Sequence, residues 1–112
     1  ALPVVPSEMT YNRVKLGWIE FVRVIADKSP PLVLFLDDLQ WVDPASLEML
    51  KVVLTDVAQK NLLVIAAYRD NEVHAAHPLW ALIEAVEQLG IAVSRLSVGP
   101  LGERAVCEWL GL

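Results

Sequence analysis

Apolar positions along this chain change their period several times, and each change marks a boundary. From Ser7 onward, Val14, Trp18, Phe21, Val22 and Ile25 recur at helical spacing, with Arg13, Glu20 and Asp27 on the other side. That pattern predicts an amphipathic helix of about five turns over residues 7–28, capped by Ser7 or Thr10 after the proline-bearing lead Leu2 to Pro6. Ser29-Pro30-Pro31 should stop it. The next run, Leu32-Val33-Leu34-Phe35-Leu36, has no polar alternation, which is how a strand reads when both faces are covered in a parallel sheet. It ends abruptly on Asp37-Asp38.

Asp43-Pro44 then supplies an N-cap followed by a proline at the first helical position. Leu47, Leu50, Leu54 and Val57 mark one face of the helix expected over 44–60, and Asn61 breaks the pattern. A second apolar run, Leu62 to Tyr68, stops just as sharply on Arg69-Asp70-Asn71-Glu72. His77-Pro78 begins a third helix with Leu79, Leu82, Ile83 and Val86 on one face and Gly90 at its end. Ile91 to Val98 reads as a third strand, interrupted by Ser94, Arg95 and Ser97, before Pro100-Leu101-Gly102 introduces a last helix over Glu103 to Leu110.

The alternation of helices with near-continuous apolar strands predicts an α/β domain with a mostly parallel sheet. Asp37 and Arg69 are 32 positions apart, close to the roughly 30 residues of one strand-helix-strand unit. If the two strands are parallel neighbours, Asp37-Asp38 and Arg69-Asp70 emerge at the same carboxyl edge, where open α/β folds bind their ligands.

Composition narrows the choice of partner. Nine Lys and Arg against fourteen Asp and Glu give a net charge of -5, which argues against a broad footprint for nucleic acid or anionic lipid. The hydrophobic share of 55% is high for 112 residues, yet the longest apolar runs are far too short to cross a bilayer. Cys107 is the single cysteine, so no internal disulfide or multi-cysteine metal site is available, in keeping with a cytoplasmic location. The chain begins at Ala1 and ends on Gly111-Leu112 within a helical pattern, which suggests a piece of a longer protein.

Two carboxylates at the end of a buried strand repel each other, and a cation relieves that repulsion. Mg²⁺ suits them, because it takes one or two carboxylates together with waters and phosphate oxygens. A neighbouring arginine would complement the phosphate. The alternative is that Asp37 and Asp38 simply open a loop, capping backbone amides or pairing with Arg69. Position and spacing leave both readings open.

The string from Leu32 to Leu50, with Asp37-Asp38-Leu39-Gln40-Trp41-Val42-Asp43-Pro44 at its centre, closely resembles the Walker B segment of STAND-type ATPases, a branch of the AAA+ P-loop NTPases. Leu62 to Val73, followed by His77-Pro78-Leu79, is similar to the sensor 1 strand of the same family. The resemblance implies a partial P-loop NTPase of the three-layer type, divided into an opening helix (7–28), the Walker B strand and loop (32–43), a helix (44–60), the sensor 1 strand and loop (62–76), a helix and last strand (77–98) and the start of a helical lid (101–112). It implies that Asp37 holds Mg²⁺ through water, that Asp38 orients or deprotonates the attacking water, and that Arg69 reports the γ-phosphate of ATP. Gln40, Trp41 and Asp43 match the pattern as well, with structural roles implied: Trp41 in packing and Asp43 as a helix cap. Motor-type relatives carry Glu at the position of Asp38, and the shorter side chain implies looser water positioning and a slow switch.

A Walker A motif is missing, since none of Gly17, Gly90, Gly99, Gly102 and Gly111 is followed by lysine. The resemblance places that motif, and its strand, upstream. This chain alone is therefore expected to bind ATP or ADP poorly, and the intact protein to be a nucleotide-dependent, oligomerising switch. Its partners would be linked effector domains (kinase, cyclase or transcription regulator), without direct nucleic-acid or membrane contact. With the Walker A strand gone, the strand at Ile91 to Val98 should either close onto its neighbour or leave apolar edge surface exposed. The competing reading is a degenerate nucleotide-binding scaffold that relays signals without hydrolysis. A receiver domain is disfavoured, because no Asp or Lys follows Asp70. His74 and His77 read as a loop residue and a cap rather than metal ligands, Cys107 as packing, and Trp18, Trp80 and Trp109 as core or subdomain contacts.

Overall fold

The computed structural model describes residues 7–28 and 30–112; the lead Leu2 to Pro6 and Ser29 lie outside the described residues. Helix α1 (Ser7–Ala26) is followed by strand β1 (Leu32–Leu36), helix α2 (Pro44–Leu54), strand β2 (Leu62–Ala66), helix α3 (Pro78–Gln88) and helix α4 (Glu103–Leu110). Single 3-10 turns at Leu39–Trp41 and Asp70–Glu72 follow the two strands. The fold is α/β around a parallel pair, in the manner of a partial P-loop NTPase.

β1 and β2 pair in register from Leu32 opposite Leu62 to Leu36 opposite Ala66. The parallel geometry comes from the crossover through α2, whose start is fixed as expected: Asp43 accepts the Ser46 amide at 3.0 Å, with Pro44 directly behind it. α2 stops earlier than its apolar spacing suggests. Thr55 folds its hydroxyl back onto the Lys51 carbonyl, and Asp56 turns aside to meet Arg23 of α1. Val57, expected on the buried face, is consequently fully exposed.

The core lies between α2, α3 and the loops after the strands. Leu39, Leu47, Val73, Leu79, Leu82 and Val86 form one buried cluster, with Leu36, Leu50, Leu54 and Tyr68 packed against it. α1 packs on α2 with Val22 and Ala26 buried, and the Trp18 indole donates to the Met49 carbonyl at 3.1 Å. The buried stripe of α1 thus runs slightly off the expected one, and Val14 and Phe21 remain exposed.

Two further expectations change. The unbroken apolar strands imply cover on both faces, yet only alternate residues are shielded: Val33, Phe35, Leu63 and Ile65 are exposed on the second face. Residues 91–98 form no strand. Among the described residues the sheet has only β1 and β2, so 91–98 pair with neither of its outer edges, which stay open as expected if the segment does not close onto its neighbour. Ile91 still touches the core, while Leu96 and Val98 are more than four-fifths exposed. α4 follows as an amphipathic helix with no buried residue, so Trp109 is exposed and Cys107 only half-buried. No helix among the described residues is long and apolar enough to cross a membrane.

Candidate functional site

The two strands end side by side, and their carboxyl ends are stitched together. Ala67 donates its amide to the Leu36 carbonyl at 2.8 Å, and Leu39 donates to the Ala67 carbonyl at 3.0 Å. Asp37-Asp38 and Arg69-Asp70 therefore leave the sheet at one edge, as the spacing requires. All four side chains are exposed.

The acidic pair adopts a specific local shape. Asp37 Oδ1 accepts the backbone N–H of the next residue, Asp38, at 2.8 Å. Asp38 itself sits in the left-handed region, with φ 55° and ψ 40°. So Asp37 does cap a backbone amide. Neither aspartate pairs with Arg69 among the described residues, which leaves the arginine and the free carboxylate oxygens facing solvent. Hard oxygen donors at close sequence spacing, with no cationic side chain bound to them, are a donor set that fits Mg²⁺ completed by water and phosphate oxygens.

Gln40 organises the floor of this site, a role that the sequence alone does not reveal. Although polar, it is only 7% exposed. Its Oε1 accepts the Arg69 amide at 3.1 Å and its Nε2 donates to Asp38 Oδ1 at 3.1 Å. Its backbone carbonyl lies 3.1 Å from His77 Nε2. His77 Nδ1 in turn accepts the Leu79 amide at 3.1 Å and caps α3, so Nε2 carries the proton and donates to Gln40. His77 is thus the expected cap, and more: it ties α3 to the turn after β1. His74 accepts the Ala76 amide through Nδ1 and lies 6.0 Å, ring to ring, from His77.

Trp41 departs from its implied packing role and is 74% exposed, because the turn that buries Leu39 and Gln40 directs the third residue outward. Trp80 is half-buried, edge-on to Tyr68 at 5.8 Å, with its indole donating to the His74 carbonyl. A hollow of about 420 Å³ lies at the opposite, amino-terminal end of β2, lined by Thr55, Asp56, Asn61, Leu62 and Ile91 among others, away from the acidic pair.

Comparison with known proteins bears on this arrangement. The sequence pattern of the AAA ATPase domain family matches residues 1–65, more than half of the chain. The chain belongs to the AAA ATPase domain family. The matched stretch of this AAA chain includes Asp37, Asp38 and Gln40 and ends before Arg69. The chain is also similar to the hybrid signal transduction histidine kinase G of Dictyostelium discoideum, at 45% identity over 49 residues, which is 44% of this chain. The AAA chain spans only 1% of that relative's length. No solved structure matches it.

Proposed function

We propose that this chain is the Walker B to sensor 1 part of a STAND-type ATPase switch, and that it contributes acids and an arginine to an ATP site completed by a phosphate-binding loop elsewhere in the intact protein. In this reading Asp37 holds Mg²⁺ through water, Asp38 orients the attacking water, and Arg69 senses the γ-phosphate. Mg²⁺, when bound, neutralises charge on the phosphate oxygens. Asp38 accepts or steers the proton of the water, and Arg69 lies near enough in the fold to answer to the phosphate on the neighbouring strand end.

The observation that carries the reading is the shared edge: two parallel strands in register deliver the aspartates and Arg69 together, with no ion pair among the described residues occupying them. The relative's name, a hybrid signal transduction histidine kinase, supports a signalling setting with covalently linked effector domains. A cytoplasmic, nucleotide-dependent assembly belongs to the same proposal. The deciding test is Asp38→Asn in the intact protein. ATP turnover should fall about a hundredfold or more while ATP binding persists. Turnover equal to that of the unaltered protein overturns the role given to Asp38 and favours the degenerate scaffold.

A further inference from the structure

We propose that Gln40 is a positioning residue that couples Asp38 to the Arg69 loop, so that a change at the arginine re-aims the carboxylate. The inference rests on Asp38 acting as the water-orienting acid.

The side-chain amide of Gln40 is held in one orientation. Its Oε1 faces the backbone N–H of Arg69, a donor, so the opposite flip would set NH₂ against N–H. Nε2 is thereby directed at Asp38, where it occupies Oδ1 and leaves the second carboxylate oxygen free. A residue in the left-handed region with an exposed side chain has little else to fix its rotamer, since the Asp38 backbone amide is engaged by Asp37. Gln40 is itself immobilised by burial and by the His77 contact to its carbonyl. One planar amide therefore joins the side chain of Asp38 to the Arg69 backbone, in addition to the backbone bond from Leu39 to Ala67 that already ties the two loops. A shift of the Arg69 backbone moves Oε1, and the rigid amide carries the movement to Asp38.

Two variants in the intact protein test this. Gln40→Met removes both hydrogen bonds at similar length. Gln40→Glu keeps an acceptor for the Arg69 amide but sets a carboxylate against Asp38. Both should lower kcat roughly tenfold or more, with the affinity for Mg·ATP within about twofold of the unaltered protein, because misaiming a catalytic group costs rate rather than binding. Amide hydrogen exchange at Arg69 should accelerate in Gln40→Met and stay slow in Gln40→Glu, a split that general loosening of the fold does not produce. Full turnover in both variants, with Asp38→Asn inactive, overturns the coupling and leaves the role of Asp38 standing. Full turnover in Asp38→Asn overturns the reading underneath. Loss of folding in both Gln40 variants makes Gln40 purely structural and overturns the proposal as well.

Discussion

Arg23 of α1 grips Asp56, just past the end of α2, through both branches of its guanidinium, with Nε to Oδ2 at 2.5 Å and Nη2 to Oδ1 at 2.6 Å. The hydrogen bonds from Arg23 hold the Asp56 carboxyl below its ordinary value near 3.8, aided by the Ala58 amide and opposed by burial. Asp43 is lowered as well, by the Ser46 hydroxyl and amide. Depressed carboxylates stabilise the fold at pH values above their ordinary range and lose that contribution as acid protonates them. Asp56→Asn should therefore lower the melting temperature by a few degrees at neutral pH, and the gap to the unaltered chain should close below about pH 4. A gap of constant size down to pH 2 contradicts this account.

His77 serves two partners from a nearly buried site. His77→Ala leaves the Leu79 amide and the Gln40 carbonyl unpaired and should cost roughly 1–3 kcal/mol in denaturant unfolding. His77→Asn, which restores a good cap but cannot reach Gln40, should recover only part of that loss. Full recovery by asparagine would show that the tie to Gln40 contributes nothing.

Leu79 is 2% exposed at the centre of the cluster, and Leu96 is 89% exposed. Leu79→Ala should cost about 2–4 kcal/mol, a large part of the stability of a small domain. Leu96→Ala should lie within about 0.5 kcal/mol of zero. Comparable losses at the two sites, measured by urea unfolding, would mean that residues 91–98 pack in solution against something.

At the candidate site, Asp37→Asn in the intact protein should raise the Mg²⁺ concentration needed for half-maximal turnover about tenfold. Arg69→Ala should slow turnover roughly a hundredfold at saturating Mg·ATP, as expected for loss of one charge-stabilising donor. Titrations of Mg²⁺ and of ATP separate the two effects, and an Arg69→Ala protein with unaltered turnover removes the arginine from the site.

What could be read from the sequence was local. The prolines after Asp43 and His77 place two helix starts, the span from Leu32 to Leu36 is a strand, and Glu103 to Leu110 is a helix. The spacing of Asp37 and Arg69 anticipates their shared edge, because one crossover helix sets both direction and distance. Features that depend on neighbours were not legible. The apolar content of 91–98 permits a strand but does not decide whether it docks on an open sheet edge, and Val33 and Phe35 report an affinity for cover rather than the cover itself. Gln40 matches the family pattern with a structural role implied, but only the fold shows that its amide lies between an acid and a backbone donor.

The left-handed backbone of Asp38 decides which substitutions there can be interpreted. Asparagine tolerates that conformation at least as well as aspartate and still offers Gln40 a carbonyl oxygen, so Asp38→Asn removes a charge and little else. Alanine adds a conformational penalty to the chemical loss, and glycine relaxes the turn while deleting the carboxylate. A chain selected for stability alone would favour glycine at this corner. It carries instead the residue that keeps an acid at the end of the strand, at some expense in backbone comfort.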